Sequence, residues 1–135
     1  MSAVVDDSMI RNSMIRKKLV RKYTDLEVYK RAYKVALEIH KTTLKFPGNE
    51  QYETAKQMRR ASKGICANIA EGFGKQSSSS AEFGRFLNIA IGSANEMMVW
   101  ISFSNDLGYI NMQLSEKWHD DYDAIAKMLT NLKAA

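Results

Sequence analysis

Apolar positions recur at helical spacing through most of the chain, in four runs separated by short polar breaks. The first run opens at Thr24-x-x-Glu27, a capping-box pattern that satisfies free amide donors at a helix start. Leu26, Tyr29, Tyr33, Ala36, Leu37, His40 and Leu44 follow as its core stripe, and Phe46-Pro47-Gly48-Asn49 stops it. The second helix is expected from about Glu50 to Ala70, with Tyr52, Ala55, Met58, Ser62, Ile65 and Ile69 inward and Gly72 as its terminator. After a polar link from Ser77 to Ser80, Ser79-x-x-Glu82 repeats the capping box, and the third helix continues to about Leu107, with Gly108 beyond. At ~1.5 Å per residue it is roughly 40 Å long. Asn111 caps the fourth, whose stripe is Leu114, Trp118, Tyr122, Ile125, Leu129 and Leu132. Short connections force neighbouring helices to run antiparallel, which predicts an all-α, up-down-up-down four-helix bundle over residues 23–135. In the leader, residues 1–22, Met9, Ile10, Met14, Ile15, Leu19 and Val20 fit an amphipathic helix no better than a mobile arm.

The third helix is apolar on two sides. Phe83, Phe86, Leu87, Ala90, Ala94, Met97 and Ile101 suffice for the core, while Ile89, Gly92, Ser93, Glu96, Trp100 and Phe103 recur on the opposite face. A bundle of this size covers only one such face. The other needs a second copy of the chain or, in a monomer, the leader folded back over it. Gly92 and Ser93 would let a partner helix come close, so self-association is the expectation.

Composition adds little to the fold and more to the setting. Pro47 is the sole proline, and Ala, Leu, Lys and Met are common, which favours helix. With Cys66 as the sole cysteine there is no intrachain disulfide, and a cytoplasmic home is expected. Basic residues interrupt the leader too often for a secretory signal, and no stretch approaches the ~20 apolar residues that span a bilayer. The net charge of +5 is concentrated at the start: residues 1–24 hold six basic and two acidic side chains, whereas 25–135 hold fourteen and thirteen. Arg16, Lys17, Lys18, Arg21 and Lys22 therefore form a basic arm suited to a polyanion. Lys56, Arg59, Arg60 and Lys63 add a basic stripe on the second helix, which reads as a phosphate-neutralising surface or as a solvated face paired with acidic neighbours.

No catalytic pattern is complete in the sequence. Glu116-x-x-His119 has the ligand spacing of di-iron bundles but no second copy, so no metal site is expected. Gly72-x-Gly74-Lys75 lacks the earlier glycine of a phosphate loop, and Gln76 replaces the Ser or Thr it needs. His40 reads as a packed residue and Cys66 as a small buried thiol. Neither an enzyme nor a cofactor is expected.

Several motifs in order carry a family resemblance. They are Asp25-Leu26-x-Val28-Tyr29-x-x-Ala32-Tyr33, Phe46-Pro47, Gln57-Met58-Arg59-Arg60-Ala61, and Ala67-Asn68-Ile69-Ala70-Glu71-Gly72-Phe73-Gly74-Lys75. Glu82-Phe83-x-Arg85-Phe86-Leu87-x-Ile89-Ala90-x-Gly92-Ser93-x-x-Glu96 and Asp106-Leu107-Gly108-Tyr109-Ile110 complete the set. From about Tyr23 to Leu132 the chain resembles the four-helix bundle proteins encoded within intervening sequences of bacterial 23S ribosomal RNA genes. The resemblance implies a cytoplasmic bundle assembling as a homo-oligomeric ring, typically a homopentamer. A similar basic barrel is the accessory protein of diversity-generating retroelements, associated with a reverse transcriptase and nucleic acid. The chain departs from the family at Cys66, where proline is usual, which allows a more regular second helix. Asn68 and Glu71 match the family motif and read as a buried amide and carboxylate that hold helix ends through hydrogen bonds, with Arg59, Arg60 or Arg85 as partners.

The expected function is a non-enzymatic homo-oligomer that binds RNA or DNA with little sequence preference. Arg16, Lys17, Lys18, Arg21, Lys22, Lys56, Arg59, Arg60, Lys63 and Lys75 are the expected phosphate contacts. The alternative is a protein-interaction scaffold or accessory subunit, for example of a reverse transcriptase, without direct nucleic-acid binding.

Overall fold

A computed structural model describes residues 20–135. They form four helices: α1 (Glu27–Thr43), α2 (Thr54–Lys75), α3 (Ser80–Asp106) and α4 (Met112–Ala134). Short 3-10 turns, Tyr23–Asp25 and Gly48–Glu50, precede α1 and α2, and there is no strand among the described residues. Most of the basic leader, including Arg16, Lys17 and Lys18, lies outside them.

Two caps follow from the sequence pattern. Ser79 Oγ accepts the Glu82 amide at 3.1 Å and Asn111 Oδ1 accepts the Leu114 amide at 2.8 Å, each satisfying a free donor in a first turn. α3 ends in a Schellman motif: Gly108 has φ +81°, and the Tyr109 amide returns to the Ser104 carbonyl at 2.8 Å. α1 starts differently from the expectation. Thr24 is not its cap; the helix begins at Glu27, and the neighbouring Asp25 carboxylate accepts the Arg21 and Lys22 amides at 2.9 and 3.0 Å. The cap position is taken by Leu26, which has no side-chain acceptor, so no side chain caps the first turn of α1. Those two bonds also hold the Asp25 carboxyl below its ordinary range.

The core is shared by all four helices. Met58, Ile65, Leu87, Met97, Trp118 and Tyr122 are among its fully buried side chains. Most of the expected inward faces of α3 and α4 is buried, with Leu87, Ala90, Ala94, Met97 and Ile101 on one and Trp118, Tyr122, Ile125 and Leu129 on the other, while Phe83, Phe86, Leu114 and Leu132 are half-buried. The expected face of α1 is only partly so. Tyr33, Leu37 and Leu44 are exposed, at 51, 45 and 59%, while Val28, Ala32, Val35, Ala36 and Ile39 enter the core. Tyr52 lies outside the core as well, at 82% exposure. The inward side of α1 is lined by small and β-branched residues, which pack into the core where the bulkier Tyr33 and Leu37 stay outside.

α2 does not stop at Gly72. It runs unbroken through Cys66 and Gly72 to Lys75, and Gly72 is buried within it. A side chain there would place its Cβ 2.8 Å from the Cβ of Phe86, so glycine makes a notch that receives α3.

The α1–α2 connection is tied to the end of α3. The Phe46 and Tyr109 rings lie 5.2 Å apart, and Tyr109 Oη donates to Glu50 Oε2 at 2.8 Å. That bond, ahead of donation from Thr54, lowers the Glu50 carboxyl, and the same bond raises the Tyr109 phenol. A carboxyl with a lowered folded-state pKa contributes stability that is complete above its unfolded value and is lost as pH falls through the folded one. Stability should therefore fall on acidification below about pH 4.5. Tyr109→Phe should flatten this part of the profile, measured by urea unfolding between about pH 3 and 6. An unchanged slope would mean that the bond contributes nothing.

Candidate functional site

Two kinds of surface are candidates, one apolar and one basic. The apolar one is the outer side of α3. Ile89, Gly92 and Phe103 are exposed, and Ser93, Glu96 and Trp100 are half-buried. Trp100 is partly satisfied inside its own chain: its Nε1 donates to Glu96 Oε2 at 2.8 Å, and its ring packs at 6.3 Å from Phe103. Two residues that the sequence reading missed extend this stripe. Val99 and Leu107 are 52 and 54% exposed, beside Phe103 at 53% and Ile89 at 42%. The signal was available, since both lie four residues from Phe103 on the same helix side.

The basic residues of α2 do not form one open face. Arg59 reaches back to the α1–α2 connection, donating from Nη1 to Thr43 Oγ1 at 3.0 Å and from Nη2 to the Gln51 carbonyl and side-chain oxygens at 3.3 and 3.2 Å. Arg60 turns the other way and pairs with Glu96 of α3 at 2.6 Å. Lys63 Nζ lies 3.0 Å from His40 Nδ1, and since an ammonium only donates, His40 is the acceptor there. Lys22, Lys56 and Lys75 are exposed and enter no ion pair among the described residues. Arg21 is exposed as well.

Charge divides the molecule in two. Residues 20–79 carry twelve Lys or Arg and six Asp or Glu, whereas 80–135 carry four and seven. The near balance over residues 25–135 concealed this, because the basic α1–α2 half and the acidic α3–α4 half cancel in the sum.

The polar pair of the resemblance, Asn68 and Glu71, sits differently from the expectation. Asn68 is half-buried and donates to the Gly64 carbonyl, one turn back in its own helix, at 2.8 Å. Glu71 is exposed rather than buried; Arg59 and Arg60 find other partners, and Arg85 bonds to Glu82 while feeling the Glu71 charge only at longer range. A solvated carboxylate needs no buried partner, so the reason for expecting one falls away.

Between α1 and α2 runs an open groove of about 360 Å³, lined by Tyr29, Tyr33, Ala36, Leu37, His40, Lys63 and Cys66. Burial pushes the Cys66 thiol up to about 11, the opposite of what a nucleophile needs. A second concavity, of about 430 Å³, lies beside α4, where Val99, Phe103, Asp106 and His119 meet. His119 Nε2 is 3.2 Å from Ser102 Oγ, and Glu116 of the Glu-x-x-His spacing is exposed. No group of three His, Cys, Asp or Glu side chains suited to a metal ion occurs among the described residues. Nor is any helix among them long and apolar enough to cross a membrane.

Residues 24–131 match the sequence model of a family described as 23S rRNA-intervening sequence protein. A crystal structure from Bacteroides thetaiotaomicron, described as a protein with unknown function from the S23 ribosomal protein family, is 32% identical. It aligns with a TM-score of 0.69 over 80% of this chain and 96% of that one. No curated protein matches the chain.

Proposed function

Since the chain belongs to the 23S rRNA-intervening sequence protein family, we propose that it acts without catalysis, as a homo-oligomeric helical bundle whose copies gather basic surfaces to hold RNA or DNA. The observation that carries this reading is the uncovered stripe of Ile89, Val99, Phe103 and Leu107 on α3. Fully burying a large apolar side chain is worth about 1.5–3 kcal/mol; these four are already about half covered, so each gains roughly half of that, and together they favour association over exposure. The up-down-up-down arrangement belongs to the same reading. It is supported by contacts between opposite ends of successive helices: the end of α2 with the start of α3 at Gly72 and Phe86, the start of α2 with the end of α3 at Met58 and Ser104, and the first half of α3 with the end of α4 at Asn88 and Lys133. A ring, with five copies as the favoured number, would repeat the α1–α2 cations around one assembly.

Nucleic acid would be held by phosphate contacts rather than base readout, with affinity that falls steeply with salt. Of the expected contacts among the described residues, Lys22, Lys56 and Lys75 are the suitable probes. Arg59 is not, because removing it would also unfasten the α1–α2 connection. Labelled single-stranded RNA should bind the wild-type oligomer at about 50 mM salt and lose at least tenfold in affinity by about 200 mM. The Lys22→Ala, Lys56→Ala, Lys75→Ala variant should bind several-fold more weakly with a shallower salt slope and an unchanged helical spectrum. No binding at low salt would reject the nucleic-acid reading.

The engagement of Arg59 and Arg60 inside the fold favours a second reading. In it, the bundle is an accessory scaffold, for example for a reverse transcriptase, and touches no nucleic acid itself. It predicts the same oligomer mass with no RNA affinity at any salt.

A further inference from the structure

We propose, resting on the self-assembly reading above, that the α3 stripe of one copy seats in the α1–α2 groove of the next, so that copies join head to tail. The first support is that two different apolar surfaces lie open on each chain. One is the ridge of Ile89, Val99, Phe103 and Leu107, and the other is the groove whose lip carries Tyr33 and Leu37. The groove floor is made of small residues, Ala36 and Cys66, which leave room for apolar side chains of a neighbouring copy.

Charge selects this pairing over ridge on ridge. The groove belongs to the half with twelve basic and six acidic residues, and Lys63 stands in its wall. The ridge belongs to the half with four basic and seven acidic residues, and the exposed Asp106 lies beside Phe103. Ridge on ridge would bring two acidic halves together, whereas ridge in groove brings opposite halves together. A head-to-tail contact leaves a free ridge at one end and a free groove at the other. It therefore continues until a ring closes, or it grows as a filament.

The test mixes two variants of the full chain. Phe103→Glu disables the ridge and leaves the groove intact; Leu37→Glu disables the groove and leaves the ridge intact. Both positions are exposed, so each variant should keep the wild-type helical spectrum. By sedimentation at a concentration where the wild type is oligomeric, each variant alone should be monomeric. Their equimolar mixture should form a one-to-one dimer and nothing larger, since only one working contact remains. A Leu37→Glu protein with the wild-type mass would overturn the proposal and leave self-assembly standing. Two monomeric variants whose mixture stays monomeric up to about 100 µM, well above the ordinary range for such contacts, would also overturn it. A wild type that is itself monomeric overturns the earlier reading and this one together.

Discussion

Gly72→Ala is expected to destabilise the fold, although alanine in a helix interior normally stabilises. Replacing glycine there gains about 1 kcal/mol from helix propensity. At Gly72 the added methyl would lie 2.8 Å from Phe86 Cβ, 3.3 Å from Phe83 Cδ1 and 3.4 Å from the Phe83 carbonyl oxygen. Phe86 Cβ is fixed to the α3 backbone, so relief requires α2 and α3 to separate rather than a side chain to rotate. Overpacking of this kind costs about 1–3 kcal/mol, and it acts on the most extensive helix contact in the molecule. The net expectation is a loss of up to about 2 kcal/mol for alanine and about 3 kcal/mol for valine, whose branch adds bulk without a comparable gain in propensity. Gly64 supplies the control: it lies in the same helix with no atom within 4 Å of the added methyl. Gly64→Ala should raise stability by about 0.5–1 kcal/mol. Urea midpoints decide it, and a gain for both alanine variants would show that the notch is not tight.

The same glycine shows why parts of the fold were hidden in the sequence. A glycine after a helical run is an ordinary terminator, and only the neighbour across the interface reveals it as a packing notch. The faces of α4 were legible because Asp120, Asp121 and Asp123 mark its polar side, leaving one arc for the core. α1 offered two apolar arcs. Counting bulk favoured Tyr33, Leu37 and Leu44, yet close packing drew in Val28, Ala32, Val35 and Ile39. The two-faced character of α3 was readable, because apolar residues on opposite sides of one helix conflict with a single core. The α2 stripe misled for a different reason. Spacing fixes where Cβ atoms stand, but an arginine is long enough to reach either neighbour, and Arg59 and Arg60 diverge toward the connection and α3.

Trp118→Ala is expected to cost about 3–5 kcal/mol, the largest loss from any single substitution considered, because it empties the bulkiest buried site. Its position sharpens the effect. α1 and α4 share fewer contacts than the sequential helix pairs do, and Trp118 projects from α4 into that thinner seam. Its indole Nε1 donates to Glu38 Oε1 at 3.2 Å, an oxygen that also accepts Lys117 Nζ at 2.9 Å. Lys117 in turn contacts Asp121 at 2.8 Å, and Arg31 meets Asp121 from α1 at 3.2 Å. These partly exposed ion pairs contribute little by themselves, so most of the loss is expected from the packing of the indole. Truncation leaves Glu38 with its lysine and the core with a cavity. Against a total of about 5–15 kcal/mol for a domain, the variant would sit near the folding threshold, and its melting temperature should fall by on the order of 10–20 °C at equal protein concentration. Trp118→Phe separates the two contributions: it keeps most of the packing, loses the donor to Glu38, and should cost only about 1–2 kcal/mol. If phenylalanine proved as damaging as alanine, the hydrogen bond to Glu38 rather than the indole's bulk would be what holds α1 to α4.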